Sequence, residues 1–353
     1  MSLSSPVTVA ILGATGTVGR RLVERVVAHP WFQLIEVAAS ERSAGRVLSD
    51  SWENPDDLPA EIGALRLGSL DGDFAADLIL SALPKAPAAA VEARLAAAGK
   101  LVVSNASAGR MMPGVPLIIP EINPSHLDLL GPAGVPTSGV ITNPNCAVIP
   151  LAMALAPLHE EFGIESVVAT TFQAVSGAGL PGPGSITLID NILPRIQGEE
   201  EKIQSEPQKI LGQIEGGNVV PALFAVSATS TRVPVIHGHL VDVSVRLIES
   251  TPLARAVDAL NCWPGHVADL ALPSLPKRPL RVLTNPDRPQ PRLDRDVENG
   301  MAVTVGRIRE CPVNGLRFAV LAHNLERGAA GAAIANAELA VRTGRVGGVR
   351  FDL

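Results

Sequence analysis

Cys146 is the residue from which chemistry is most readily built. It follows Asn143-Pro144-Asn145, a turn-rich stretch at the junction where the texture of the chain changes, and a helix is expected at it or just after it, over 147–158. A thiol at a helix N-terminus has a lowered pKa and a raised thiolate fraction at neutral pH. Cys262 and Cys311 lack such a setting and are expected to be inert core residues. A thiolate that attacks an activated carboxyl group needs a proton carrier and a partner for the oxyanion. Among seven histidines, His29, His126, His159 and His266 lie in loop or helix-surface contexts and are expected to be exposed. His237-Gly238-His239 lies in a strand-like stretch that starts at Arg232, and the glycine permits close approach of a ligand. Arg232 and His239 are seven residues apart, so simple alternation points them to opposite faces; a turn or bulge at Val233-Pro234 would bring them together.

Two further groups could assist. Glu199 and Lys202, in Gly198-Glu199-Glu200-Glu201-Lys202, are spaced to share a helix face, although a charge run of this kind also reads as a solvated helix start. Gln173 ends a strand that enters the glycine-rich loop Val175-Ser176-Gly177-Ala178-Gly179. Such a loop either places Gln173 beside a reacting centre or only turns the chain.

These side chains need elements to hold them. Residues 7–12 are a short apolar run, as in a strand buried on both faces of a parallel sheet. Gly13-Ala14-Thr15-Gly16-Thr17-Val18-Gly19 follows it and opens a helix over 20–28, and a second strand is expected over 34–39. Glycines let the backbone approach a pyrophosphate, and the helix N-terminus offers free N–H groups, so a dinucleotide site is expected here. After the second strand, Ser40-Glu41-Arg42-Ser43 holds both an acid suited to a ribose hydroxyl and an Arg-Ser pair suited to a 2′-phosphate; the pair in its glycine-ended loop favours NADP. Strand-like runs at 77–80 and 101–103 flank an Ala-rich helix at 86–98, which completes a doubly wound α/β domain. Beyond residue 166 longer β-rich runs (167–173, 235–247, 301–308, 316–321) suggest a mostly antiparallel sheet, 264–295 an irregular excursion, and 328–342 a helix returning to the first domain.

Composition limits the rest. At 353 residues and 46% hydrophobic, the chain is long enough for two domains, each with a core. The net charge of −6, without any Lys/Arg-rich run, argues against nucleic acid or an anionic membrane as a partner. Three widely separated cysteines exclude a disulfide framework and a CxxC metal site, so no metal is expected. The N-terminal stretch lacks the pattern of a signal peptide and no apolar run reaches membrane-spanning length, so the expected location is the cytoplasm.

Seven segments in order, GATGTVGR (13–20), SNASAGRMMPGVPLIIPEINPSHL (104–127), NPNCAVIPLA (143–152), TTFQAVSGAGLPG (170–182), GEEEKIQSEPQKILG (198–212), TRVPVIHGHL (231–240) and HNLERGAAGAAIANAELA (323–340), resemble the aspartate-semialdehyde dehydrogenase family in its archaeal and fungal branch. The resemblance implies an N-terminal Rossmann-like domain over 1–145 plus 325–353, and an α+β catalytic and dimerisation domain over 146–324. It implies Cys146 as nucleophile, His239 as acid/base and Gln173 as the residue orienting the intermediate. Arg232 would hold the substrate α-carboxylate and Glu199 its α-amino group, with Lys202, Arg110 and Asn105 at the phosphate. Gly13, Thr15, Gly16, Thr17, Val18, Ser40, Arg42, Ser43, Ser176, Gly177 and Asn324 would bind NADP. The implied activity is reduction of β-aspartyl phosphate to aspartate semialdehyde through a cysteine thioacyl-enzyme, in a homodimer or homotetramer whose partner is a small molecule.

The match has departures. Leu180 stands where the family has Tyr, the stretch before Arg110 lacks the usual aromatic and has Gly109, and His237 replaces an Asp. A malonyl-CoA (CoA-thioester) reductase of the same branch is the alternative, and Lys202 with Arg110 favours the phosphate substrate over it. N-acetyl-glutamyl-phosphate reductase ranks third because its cysteine motif differs, and a catalytically silent NADP-binding sensor would not need Cys146, Gln173, Arg232 and His239 together.

Overall fold

A computed structural model describes residues 3–179 and 182–348, so Leu180 lies outside the described residues. Two compact units emerge, one of 3–118, 125–143 and 330–348, the other of 119–124 and 144–329. The chain first runs through β1 (Val7–Leu12), α1 (Thr17–Val27), β2 (Phe32–Ala39), α2 (Ala60–Gly63), β3 (Leu67–Ser69), β4 (Leu78–Ser81), α3 (Lys85–Ala97), β5 (Leu101–Ser104) and β6 (Gly139–Thr142). Then come α4 (Val148–Phe162), β7 (Ile164–Gln173), α5 (Ser185–Leu188), α6 (Glu199–Ile210), β8 (Gln213–Glu215) and β9 (Asn218–Val220). They are followed by β10 (Ala225–Arg232), β11 (His239–Leu247), α7 (Leu253–Cys262), β12 (Leu280–Val282), α8 (Pro291–Asp294), β13 (Val303–Cys311), β14 (Gly315–Ala322) and finally α9 (Gly331–Arg342), which belongs to the first unit.

The first unit is a parallel sheet in the order β3-β2-β1-β4-β5-β6, the doubly wound arrangement that the alternation of strands and helices implies. β1, β4 and β5 are apolar and almost wholly buried because helices cover both faces. Between β1 and α1 the chain turns tightly: Gly13 has φ +76°, and a Cβ on Gly19 would lie 2.0 Å from the Gly13 carbonyl oxygen. This packing of helix against turn is open only to glycine. Two histidines expected at the surface are interior. His126 is buried. His29 joins Glu338 of α9 (Nε2 to Oε1 2.7 Å) and stacks on Phe32, so a polar pair closes one end of the α9 packing. His159 is half-buried and His266 exposed.

The second unit carries a mixed sheet, β10-β7-β11-β14-β13-β12, with three antiparallel pairings at its centre and a parallel pairing at each edge. α4 is apolar all round (VIPLAMALAPLH) and buried along nearly its whole length, so a core forms around it. Its first helical residue is Val148, and Cys146 stands in the turn just before. The stretch read as one strand from Arg232 is two: Arg232 ends β10, 233–238 form a loop, and His239 opens β11. β10 (AVSATSTR) was not anticipated, because small polar residues give an edge strand little hydrophobic alternation. Cys262 is exposed and Cys311 half-buried; neither is a core residue, since Cys262 ends α7 and Cys311 lies at the end of β13. Residues 119–124 fall in the second unit rather than the first. Glu121 anchors them there, its carboxylate accepting from the buried Arg327 (2.8 Å) and its carbonyl from His266 N–H (2.8 Å). Among the described residues no helix is long and apolar enough to cross a membrane.

The Gly19 contact makes a prediction. Gly19→Ala must displace the α1 N-terminus from the β1 turn, so urea unfolding should show a loss of at least about 2 kcal/mol. A variant of wild-type stability would contradict the described turn.

Candidate active site

Asn145 and Cys146 are held from below by α6. Two glutamates one heptad apart face the same way: Glu199 Oε2 accepts from Asn145 Nδ2 (2.8 Å) and Glu206 Oε2 from the Asn145 backbone N–H (2.6 Å). Asn145 Oδ1 in turn accepts from Ala147 N–H (2.9 Å), and its carbonyl accepts from Val148 N–H (2.9 Å) and Ile149 N–H (3.0 Å), which starts the helix. The turn that presents Cys146 is therefore tied down at nearly every polar group of the preceding residue. On its other side Gly328 abuts it, for a Cβ there would lie 2.8 Å from the Cys146 Cβ. Gly328 lies in a π-helical turn, Glu326–Ala330.

Glu199 is a hub. Besides Asn145 it accepts from Gln173 Nε2 (3.2 Å) and pairs with Lys202 (2.6 Å). Burial would raise its carboxyl, but the Lys202 charge and the hydrogen bonds from Lys202, Asn145 and Gln173 outweigh burial and hold it below its ordinary value. The acidic run is thus not only a solvated helix start: Glu199 is buried, whereas Glu201 faces solvent.

Arg232 and His239 do converge. The 233–238 loop returns the chain so that the end of β10 and the start of β11 flank the end of β7. Ala174, just past β7, holds both: its N–H donates to His239 Nδ1 (3.0 Å) and its carbonyl accepts from Arg232 NH1 (2.7 Å). Gly177 lies over the pair, and a Cβ there would lie 3.0 Å from Arg232 NH1 and from His239 Cε1 and Nε2. Burial lowers the Arg232 pKa, opposed by the charges of Cys146 and Glu199. Burial, with the charge of Arg232, pushes the His239 imidazole down to about 3; Glu199 opposes this and His323 adds to it. The ring is neutral at neutral pH.

Ser176 and Asn324 form a neighbouring group. Asn324 Nδ2 donates to Ser176 Oγ (2.9 Å), Asn324 Oδ1 accepts from Gly238 N–H (2.8 Å), and His237 Nδ1 lies 2.8 Å from Ser176 Oγ. His237 also stacks on His323.

The first unit holds the remaining expected residues at the carboxyl ends of its strands, where open α/β sheets bind ligands. Thr15, Gly16, Thr17 and Val18 shape the β1–α1 turn; Thr17 Oγ1 is buried without a hydrogen-bond partner, and the first turn of α1 has neither a side-chain cap nor an acid. Unclaimed helix amides and an orphan hydroxyl fit a phosphate-bearing cofactor. Ser40, Arg42 and Ser43 follow β2 in an exposed turn closed by Ser43 N–H to the Ser40 carbonyl (2.8 Å). Beyond β5, Arg110 NH2 donates to the Asn105 carbonyl (2.9 Å) and Asn143 Nδ2 to Asn105 Oδ1 (2.9 Å); Asn336 of α9 completes the chain by donating to Asn143 Oδ1.

Sequence reasoning passed over Glu206, Asn145, Asn143 and Asn336. Only the seven-residue spacing of Glu199 and Glu206, and the placement of Asn145 next to the cysteine, could have pointed to them. Among the described residues no cluster of potential metal ligands is present.

A Rossmann-like unit joined to a mixed-sheet unit with a cysteine at a helix start defines a class of acyl-group dehydrogenase, and comparison with known proteins agrees. The model of the semialdehyde dehydrogenase NAD-binding domain matches residues 8–130, and that of the semialdehyde dehydrogenase dimerisation domain residues 155–327. The chain belongs to the semialdehyde dehydrogenase family. Aspartate-semialdehyde dehydrogenase of Archaeoglobus fulgidus is 43% identical over 345 residues, covering 95% of this chain and 98% of the relative. That of Cryptococcus neoformans is 40% identical over 364 residues, covering 98% and 100%. The crystal structure of aspartate semialdehyde dehydrogenase with NADP from Candida albicans superposes with a TM-score of 0.88 at 36% identity, covering 97% of this chain and 100% of that one. Aspartate semialdehyde dehydrogenase II from Vibrio cholerae, complexed with ASA, gives 0.76 at 27% identity, covering 96% and 99%.

Two outcomes follow from the buried groups. Glu206→Gln removes the charge that holds the Asn145 amide, so stability should fall by about 1–3 kcal/mol, and iodoacetamide should alkylate Cys146 at an altered rate; an unchanged rate would show that Glu206 does not set the turn. For His239, the unfolded chain binds a proton at about pH 6.5 and the native state only at about 3. Between these values the unfolded state carries more protons, so stability falls as pH drops. Urea midpoints at about pH 7 and about pH 4.5 should show a smaller drop in His239→Gln than in wild type.

Proposed function

We propose that Cys146 is the nucleophile of an NADP-dependent aspartate-semialdehyde dehydrogenase that reduces β-aspartyl phosphate to aspartate semialdehyde. The observation that carries this reading is the grouping of Arg232, Glu199, Gln173 and His239 around the Asn145–Cys146 turn. Arg232 stabilises the thiolate and takes the substrate α-carboxylate, for which a planar, permanently charged guanidinium is suited. Glu199, kept ionised by Lys202, takes the α-amino group. Lys202 in the second unit, and Arg110 and Asn105 in the first, each carry donors suited to a phosphate. The Cys146 thiolate attacks the acyl carbon and phosphate leaves, which gives a thioester on the enzyme. The cofactor supplies the hydride that reduces this thioester. The resulting thiohemiacetal oxyanion on Cys146 then collapses, releasing aldehyde and restoring the thiolate, with His239 beside the reacting oxygen and Gln173 fixing its position.

The turn of Gly13, Thr15, Gly16, Thr17 and Val18 is suited to the pyrophosphate, Ser40, Arg42 and Ser43 to a 2′-phosphate, and Ser176, Gly177 and Asn324 to the nicotinamide end. The relatives named above are aspartate-semialdehyde dehydrogenases, and none of them is named a CoA-thioester reductase. A homodimer or homotetramer is the proposed assembly. It is supported by the match to a dimerisation domain and by the partly uncovered outer face of β7, where Val168 is 46% exposed. The proposed compartment is the cytoplasm.

Absorbance at about 340 nm with aspartate semialdehyde, phosphate and NADP tests the activity, and Cys146→Ala should abolish it. Arg42→Ala should raise the KM for NADP about 10- to 100-fold, the value of a charge-assisted phosphate contact, while leaving that for NAD unchanged. Turnover by Cys146→Ala would overturn the nucleophile assignment; equal effects on both cofactors would overturn the role of Arg42.

A further inference from the structure

Arg327 is the largest fully buried side chain among the described residues, and it immediately precedes the glycine that abuts Cys146. Its NH2 donates to Glu121 Oε2 (2.8 Å) and to the Met153 sulfur (3.4 Å) in the second turn of α4, the helix that begins just after Cys146. The backbone around it is the π-helical turn Glu326–Ala330, in which the Gly328 N–H reaches back to the His323 carbonyl (2.9 Å). The amides that lead into Gly328 are also taken. Leu325 and Glu326 donate to His323 Nδ1 (3.2 and 3.3 Å), and Arg327 donates to the Gly300 carbonyl (3.2 Å). A Cβ on Gly328 would lie 2.8 Å from the Cys146 Cβ and 3.2 Å from its Cα, so the π turn packs directly on the cysteine.

We propose that the Arg327–Glu121 pair is a positioning device for Cys146: it holds Glu326–Ala330 in the π form and so keeps the Gly328 backbone against the cysteine. Its consequence for catalysis rests on the reading of Cys146 as the nucleophile.

The pair is poorly built as a source of stability. A single NH2 makes both contacts, while Arg327 Nε and NH1 and Glu121 Oε1 are buried with no hydrogen-bond partner among the described residues. A forked guanidinium–carboxylate pair would satisfy both oxygens, and a buried pair offsets its desolvation only when its remaining polar atoms are bonded. Apolar side chains of similar volume would fill the same space without that penalty. They would not fix a direction, which the charged pair does. Its anchor is rigid: the Glu121 carbonyl accepts from His266 N–H (2.8 Å), a Cβ on Gly265 would lie 3.0 Å from the Glu121 Cβ, and Asn123 Oδ1 accepts from Ile119 N–H (2.9 Å) within the same short segment. If the Gly328 N–H bonded to the Asn324 carbonyl instead, as in an α-helix, the turn would rotate by one residue's step, about 100°, relative to α9. Arg327 would then swing away from Glu121, and Gly328 away from Cys146. The ion pair opposes that closure.

The test uses the full-length protein and the double variant Glu121→Met/Arg327→Met, which removes both charges and keeps an apolar filling. Its urea midpoint is expected above that of Arg327→Met, in which a buried carboxylate is left alone. Its kcat with aspartate semialdehyde, phosphate and NADP should nonetheless lie about 10- to 100-fold below wild type, with the KM for aspartate semialdehyde changed by less than about threefold. Iodoacetamide alkylation of Cys146, read by the mass of its peptide, should change in rate by at least about threefold. Arg327→Lys, which returns a cation to Glu121, should recover at least about fivefold of the kcat lost in Arg327→Met. Gly328→Ala, which adds a methyl at the contact and leaves the pair intact, should also change the alkylation rate by at least about threefold. A double variant with the kcat and alkylation rate of wild type would show that the pair only fills space, and one that does not fold would show that stability is what it supplies; either result overturns the proposal. So would a loss carried by KM alone, equal kcat in Arg327→Lys and Arg327→Met, or an unchanged rate in Gly328→Ala. Turnover by Cys146→Ala would remove the nucleophile reading, whereas the alkylation rates, which need no turnover, would still report whether the pair sets the position of Cys146.

Discussion

Ala174 constrains the chemistry of the whole second unit. Its N–H fixes the tautomer and direction of His239, and its carbonyl fixes the guanidinium of Arg232. The residue is completely buried at the end of β7, so neither bond competes with water. Because β10 runs parallel and β11 antiparallel to β7, the last residue of one and the first of the other arrive at the same end of the sheet. A guanidinium and an imidazole are thereby set side by side in a buried site, which keeps the imidazole uncharged.

α6 supplies the complementary half. Two carboxylates one heptad apart grip Asn145, one through its side chain and one through its backbone, so the position of Cys146 is set by the residue before it. Burying two carboxylates is tolerable because each has a cation near it. Lys202 pairs with Glu199. Lys209 lies by Glu206, and burial has pushed its own amine down to about 8, against the pull of that carboxylate. Glu199 thus orients the cysteine turn and, in the proposed reaction, also presents an anion to the substrate ammonium group.

Much of this was legible in the sequence. The β1–α1 turn, the cysteine at a helix start and the Glu199–Lys202 pair each have a local signature, in glycine placement, a loop-to-helix transition and i,i+3 spacing. The turn after Arg232 was foreseeable from Pro234, although the continuous strand around it was not what formed. The rest depends on contacts between distant segments. Nothing near Glu206 marks it as the acceptor for an amide 61 residues away. Nothing in the polar edge strand β10 announces its pairing with β7, and the burial of His29 depends on Glu338, 309 positions later. Local pattern gives element type; the partner of a buried polar group is a property of the fold.

The central claim is the proposed acyl transfer through Cys146. Rapid mixing of the protein with aspartate semialdehyde and NADP in the absence of phosphate tests it most directly, since the thioester then has no acceptor to release it. The account predicts a burst of one reduced cofactor per active chain and an aspartyl group on the peptide containing Cys146. A burst without that adduct, or an adduct on another residue, would contradict it.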